Sequence, residues 1–231
     1  MRKLMFYAVL LACLLVMPVG VQAYTIDNDP STAIGYPTYA SYGINVSDIY
    51  TASIAIDLFT NYPPSGDTVL NWTTRPADLF ITETYKGSSY LWAIPTVTHT
   101  NFANDTTFNA GTMYAVGTYK VSDDFDPSPG SFIYNHNVPV SIDTLGSNYG
   151  QTSFGGSITT IQSASMPYWE YSIVLTGVYE DDPNGVFSFL WGTATCANDV
   201  VSGQVPVPEP TTMLLLGLGL VGVGILRRKH S

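Results

Sequence analysis

The chain has 231 residues, of which 45% are hydrophobic, 13% aromatic and only 11% charged, and its eight Lys and Arg against 18 Asp and Glu leave a formal charge of −10. Nucleic-acid binding draws on Lys and Arg that displace counterions from phosphates, so this balance argues against a nucleic-acid partner. The apolar and aromatic content suffices for a packed core, which argues against a wholly disordered chain and for one modest domain.

The start reads Met1-Arg2-Lys3, an apolar run from Leu4 to Met17, then Pro18 and Val21-Gln22-Ala23. A basic start, a short apolar helix and small residues at the third and first positions before a cut are the zones of a secretory signal peptide. Residues 1–23 are therefore expected to be a signal helix admitted by the translocon, with signal peptidase cutting after Ala23. The run is shorter than the ~20 residues of a membrane span, which argues against an uncleaved anchor. A lipoprotein reading of Leu10-Leu11-Ala12-Cys13 is weaker, because the apolar run continues past Cys13.

From Tyr24 to Pro206 there are 17 acidic residues and three bases, Arg75, Lys86 and Lys120, for a net charge of −14. Such a balance favours solubility and repels anionic surfaces. Cys13 leaves with the leader, so Cys196 has no intramolecular partner, and its apolar neighbours imply a buried, inert thiol. Short stretches rich in Thr, Tyr, Val, Ile and Phe alternate with Gly, Pro, Asn and Asp, a pattern of many strands and few helices. Strands are expected at 53–60, 77–84, 90–94, 111–121, 131–134, 157–162, 171–179 and 185–195. Residues 24–203 thus read as a single all-β domain, a β-sandwich or jelly-roll-like fold. Tyr171, Ile173 and Leu175 alternate with Ser172, Val174 and Thr176, and Phe187, Phe189 and Trp191 recur at every second position, with Asp181-Asp182-Pro183-Asn184-Gly185 between. Pro183 and Asn184-Gly185 suit a tight turn, so 171–195 is expected to be a hairpin whose Phe187, Phe189 and Trp191 face lies in the core.

Chemistry-bearing residues are sparse. His99 and His136 lack the i, i+4 spacing of a helical metal site, and no Gly-x-Ser-x-Gly elbow marks a serine hydrolase. Glu83 and Glu170 are the glutamates in strand-like settings and so the candidate pair for a glycosidase. Two acidic clusters, Asp123-Asp124-Phe125-Asp126 and Glu180-Asp181-Asp182, offer oxygen ligands to Ca²⁺, although the regular calcium loop is absent and turn chemistry accounts for both. Asp123, Asp124 and Asp126 are the weak metal candidates; no catalytic residue and no cofactor is implied. Trp72, Trp92 and Trp169 are candidates for a glycan-stacking platform, and Asn45, Asn71 and Asn104 stand in Asn-x-Ser/Thr acceptor patterns.

Residues 204–231 read as a tail in three zones. Val205-Pro206-Val207-Pro208-Glu209-Pro210 forms a stiff, donor-poor linker, Met213 to Leu226 is an uncharged apolar run, and Arg227-Arg228-Lys229 is a basic cluster. The apolar run is expected to be a transmembrane helix with the basic cluster on the cytoplasmic side. Its 14 residues give about 21 Å of helix against a hydrocarbon core of about 30 Å, a mismatch that snorkelling and local thinning absorb. Gly217-Leu218-Gly219-Leu220-Val221-Gly222 matches a dinucleotide-loop spacing but lacks the preceding strand and later acidic residue that such a loop needs.

Pro208-Glu209-Pro210, the apolar run and Arg227-Arg228-Lys229 together resemble the PEP-CTERM sorting signal of exported proteins in Gram-negative bacteria that make extracellular polysaccharide. The resemblance implies an exosortase as processing partner, a membrane transpeptidase-like enzyme that removes the tail and releases or attaches the ectodomain. The stretch Trp191 to Asp199 is similar to a closing segment of some exosortase-sorted proteins, with no activity attached. The reading that follows is an exported, transiently membrane-anchored protein, delivered to the cell surface or a biofilm matrix. Its role there is expected to be structural or adhesive and non-catalytic. A carbohydrate-binding module that contacts extracellular polysaccharide, or a secreted hydrolase, are the alternatives.

Overall fold

β-Branched and aromatic side chains at every second position favour extended backbone, because they pack well on a pleated surface with one face turned from water. The computed structural model describes residues 23–33, 37–48, 53–69, 72–100, 106–125, 135–146, 153–176 and 185–206. The expected signal helix, the tail from 207 onward, the strand at 131–134, Glu180 and the turn at 181–184, Asp126, Asn71 and Asn104 lie outside these residues. In chain order the strands are β1 (Ala23–Asp27), β2 (Ser41–Ser47), β3 (Ser53–Thr60), β4 (Asp67–Val69), β5 (Trp72–Thr74) and β6 (Leu79–Tyr85). Next come β7 (Ser88–Ile94), β8 (His99–Thr100), β9 (Thr107–Phe108), β10 (Met113–Val121) and β11 (Pro139–Leu145). The last are β12 (Ser153–Phe154), β13 (Gly156–Gln162), β14 (Trp169–Thr176), β15 (Val186–Gly192) and β16 (Val200–Pro206). Three short 3-10 turns are the helical structure among the described residues, so the all-β expectation holds there.

Most of the strands build two large antiparallel sheets, while β4 with β5 and β8 with β9 form two small two-stranded ones. Sheet I has the order β1-β2-β3-β14-β13, and sheet II the order β11-β10-β7-β6-β15-β16 with β12 also beside β10. Ile44, Ile56, Leu58, Tyr171 and Ile173 from sheet I meet Leu79, Ile81, Trp92, Phe189, Trp191 and Val205 from sheet II in one apolar cluster. The sheets therefore face each other across a shared core, and each large side chain buried there contributes roughly 1.5–3 kcal/mol. A second cluster, with Phe80, Tyr114, Val116 and Ile142, covers the opposite face of sheet II. Register shifts in β10 after Val116 let the β10–β11 pair bend over that face, and Tyr119 meets Phe80 edge-on at 5.8 Å between ring centroids.

The expected hairpin at 171–195 does not form. β14 pairs with β3 and β13, whereas β15 pairs with β6 and β16, so the two strands belong to different sheets. They face each other across the core, with Tyr171 and Trp191 edge to face at 6.2 Å. Alternation shows that a strand has one buried face; it carries no information on whether the next strand pairs beside it or packs opposite it. Burial of Phe187, Phe189 and Trp191 is as expected.

β16 carries the sandwich past residue 203 into the stretch read as linker. Val205 pairs with Phe187 and is buried in the core, and Pro206 stands opposite Val186 at the strand's end, where its missing N–H costs little. At the corner between the sheets Gly203 lies against Ile26: a Cβ there would come within 2.7 Å of the Ile26 side chain. The glycine thus lets β16 of sheet II close on β1 of sheet I.

Candidate functional site

Most of the polar chemistry of the described residues collects where loops join the sheets. Pro76-Ala77-Asp78 leads into β6, and the apolar neighbours of Asp78 draw its carboxylate inside, where its side chain is fully enclosed. Its oxygens accept from Arg75 Nη1 at 3.2 Å, from His99 Nε2 at 3.0 and 3.1 Å, and from the Ile142 N–H at 2.7 Å. Burial opposes ionisation of Asp78, but Arg75, His99 and the Ile142 N–H together outweigh it and hold the carboxyl below its ordinary range. Ser141 is adjacent, yet its Oγ accepts from Arg75 Nη2 at 2.5 Å and donates to the Ile142 carbonyl. Arg75 thus joins Asp78 to Ser141 while His99 bonds to Asp78, so the three side chains are not arranged as a relay from Ser through His to Asp.

A second buried carboxylate, Asp199, joins the two sheets. It accepts from the Ser41 N–H at 2.8 Å, from Ser41 Oγ at 2.9 Å and from Asn28 Nδ2 at 3.1 Å on each oxygen. The start of β16 is thereby fastened to the start of β2 and the end of β1. The loop before it, residues 193–197, is buried throughout and bonded to the chain around Arg75 and Asn135. Within it Cys196 is 2% exposed, and burial pushes its thiol up to about 12, as its apolar neighbours imply. Asp199 of this closing segment is thus a structural fastener between the sheets. Asp78 and Asp199 went unseen in the sequence because, Arg75 apart, their side-chain partners are distant in the chain; an acid inside an apolar stretch, as in Ala77-Asp78-Leu79, is the signal that was there.

The other candidates scatter. Glu83 lies on the inward side of β6, nearly buried, and accepts from Trp92 Nε1 at 2.8 Å, whereas Glu170 lies on the outward side of β14. The two glutamates therefore face different sides of different sheets and do not form the carboxylate pair a glycosidase needs. Asp123 accepts from His136 Nδ1 and the Asn137 N–H, both at 2.6 Å, and Asp124 accepts from the Val121 N–H at 3.0 Å. The Asp124 bond is turn chemistry, whereas Asp123 ties its turn to the segment 136–137, and among the described residues no three His, Cys, Asp or Glu side chains gather as a metal-ligand set. Trp92 is enclosed in the core and Trp169 packs against it, so neither is an open stacking platform. A small gap between the sheets, lined by Val46, Ile54, Met113 and Phe187 among others, is entirely apolar and offers no bond to a polar ligand.

What the sandwich presents outward is the far face of sheet I. Thr25, Asn45, Asp57, Ser172 and Thr159 fall in register across all five strands. The next row runs Asp27, Gly43, Phe59, Glu170 and Ile161. This face displays hydroxyls, an amide, carboxylates and one aromatic ring, with no basic side chain in either row. It can exchange hydrogen bonds with a neutral, hydroxyl-rich ligand, and it repels an anionic one.

Beyond β16 the chain is characterised by comparison. Residues 206–229 match the family model of the PEP-CTERM protein-sorting motif. The match begins at the last residue of β16 and takes in Pro208, Glu209, Pro210, Arg227, Arg228 and Lys229. It marks the chain as an exported protein targeted to an exosortase, with a membrane-associated tail. No curated protein and no solved structure matches the chain.

Proposed function

We propose that this chain is an exported surface or matrix protein whose acidic sandwich works by contact and not by turnover. Its leader would be removed after Ala23. Residues 213–226 would then hold it in the membrane, with Arg227, Arg228 and Lys229 on the cytoplasmic side, until the exosortase acts on the tail. The observation that carries the contact reading is the division of polar groups. Asp78, His99, Glu83 and Asp199 are consumed by bonds inside the fold, while the side chains of the outward rows of sheet I are partly or fully exposed. A biofilm matrix or cell surface of a polysaccharide-producing Gram-negative bacterium fits the sorting signal.

The same rows favour a second reading, in which that face is a binding surface for neutral polysaccharide, with Phe59 as stacking ring and Asn45, Asp57 and Ser172 as hydrogen-bonding partners. Mass spectrometry of the protein from its host tests the processing: loss of residues 1–23 and of the tail is expected, and an uncut chain overturns it. Retention in gels cast with neutral polysaccharide tests the contact. Retardation that Phe59→Ala and Asp57→Ala abolish supports it, and turnover of a glycoside or peptide substrate overturns the non-catalytic reading.

A further inference from the structure

β13 is an edge strand. It pairs residue for residue with β14 over its whole length without a bulge, and among the described residues no strand lies along its other side. Backbone N–H and C=O groups on such an edge are obligate hydrogen-bonding groups, and proteins commonly guard them with a Lys, a Pro, a bulge or a covering element. The other long edge of sheet I, β1, closes against β16 at Gly203. β13 carries no such device: it reads Gly-Ser-Ile-Thr-Thr-Ile-Gln, with neither charge nor proline.

The stretch of chain around the strand is as neutral as the strand itself, with Glu170 of β14, opposite Ile161, just beyond it. Residues 144–169 contain no Asp, Glu, Lys, Arg or His, in a domain of net charge −14. Exposed apolar side chains gather here as well, with Ile161 at 52%, Met166 at 58% and Tyr168 at 41% exposure. Two copies of so acidic a domain repel each other across most of their surfaces, but not along this strip. A basic partner, for its part, gains no attraction from it. Charge and backbone chemistry together therefore select a second copy of the same chain.

We infer that β13 pairs antiparallel with β13 of a second copy, joining two five-stranded sheets into one of ten. The chain enters β13 from β12 of sheet II through Gly155, and the Gly111 turn lies against Gly156 and Ser157. The free edge is therefore residues 158–162, with Thr160 at its centre. A two-fold axis normal to the sheet keeps each residue on its own face, so Thr160 stands opposite Thr160 of the second copy and Thr159 opposite Ile161. So short an edge makes a small interface, and the association is weak and concentration-dependent. It stands apart from polysaccharide binding, since sheet pairing leaves the outward rows of both copies uncovered.

The test uses the full chain in detergent, with Cys13→Ser as background. In an antiparallel pair the Cα atoms of facing residues lie about 4.5–5.5 Å apart, within the span a disulfide bridges. Thr160→Cys is expected to give a reducible dimer on mild oxidation, several-fold more than Ser202→Cys, which places a thiol at an exposed site on β16. Independently, sedimentation of the unmodified chain is expected to show dimer rising with concentration. Thr160→Asp, which sets like charges face to face at an exposed position, is expected to remain monomeric with an unchanged far-ultraviolet spectrum. Thr160→Cys cross-linking no better than Ser202→Cys, or equal sedimentation of the unmodified and Thr160→Asp chains, overturns the inference.

Discussion

Asp78→Asn separates a charge network from a shape. Asparagine fills the same volume and keeps one oxygen to accept from the Ile142 N–H, now 2.7 Å from Asp78 Oδ2. Its amide N–H₂, however, replaces an acceptor with a donor facing Arg75 and His99, both of which donate to Asp78. Hydrogen bonds to a charged group are worth roughly 1.5–3 kcal/mol each, and breaking a buried pair costs about 3–5 kcal/mol. Arg75 keeps a quarter of its side chain in solvent and recovers part of its hydration, so a loss of about 3 kcal/mol is expected. Against a usual total of about 5–15 kcal/mol this is a large shift in a urea midpoint. The pH dependence supplies the sign. The folded carboxyl of Asp78 titrates below its ordinary range, so its stabilisation is complete above the unfolded value of about 4 and is lost as pH falls through the lower folded value. The gap in unfolding free energy between the unmodified chain and Asp78→Asn should therefore hold near neutral pH and close in acid. A gap under about 1 kcal/mol at neutral pH, against the roughly 3 expected, or one that persists undiminished in acid, refutes the argument.

Cys196, with its thiol pushed up to about 12, should resist alkylation in the folded protein at mildly alkaline pH and label fully in denaturant; equal labelling in both states contradicts its burial. Gly111 has φ +78°, and a Cβ there would come within 2.6 Å of the Ser157 carbonyl carbon, so Gly111→Ala should cost about 1–3 kcal/mol in chemical denaturation, with an unchanged midpoint as the opposing result. Val205→Ala removes two buried methyl groups from the core and should cost about 2 kcal/mol. The mature C-terminus should accordingly fall at or after Pro206, and mass spectrometry that finds it before Val205 would show that β16 is dispensable.

Strands rich in β-branched and aromatic residues were legible: 53–60, where buried and exposed positions alternate, coincides with β3, and 157–162 and 90–94 lie within β13 and β7. β2, β11 and β16 escaped notice. Gly43 and Asn45 dilute the first, Pro139 opens the second, and Ser202-Gly203-Gln204 makes the third read as linker, although all three supply core residues such as Ile44, Ile142 and Val205. What makes them strands is the partner beside them, a non-local fact that a local propensity does not carry. The sorting tail was legible because a signal read at the membrane is linear and needs no fold to be recognised. The fasteners at Asp78 and Asp199 were not, since their partners at Ile142 and Ser41 lie 64 and 158 positions away.

β16 is the final strand of the described residues, yet it furnishes Val201 and Val205 to the interior, and Asp199, just before it, clasps Ser41. On the export route proposed above, a chain threaded outward from its first residue would leave one side of β15 uncovered until those positions had crossed. The next residues in line are the sorting motif itself. Completion of the globule and presentation of the signal would then coincide in time, and a product cut short before the motif would also lack the stitch that seals the core.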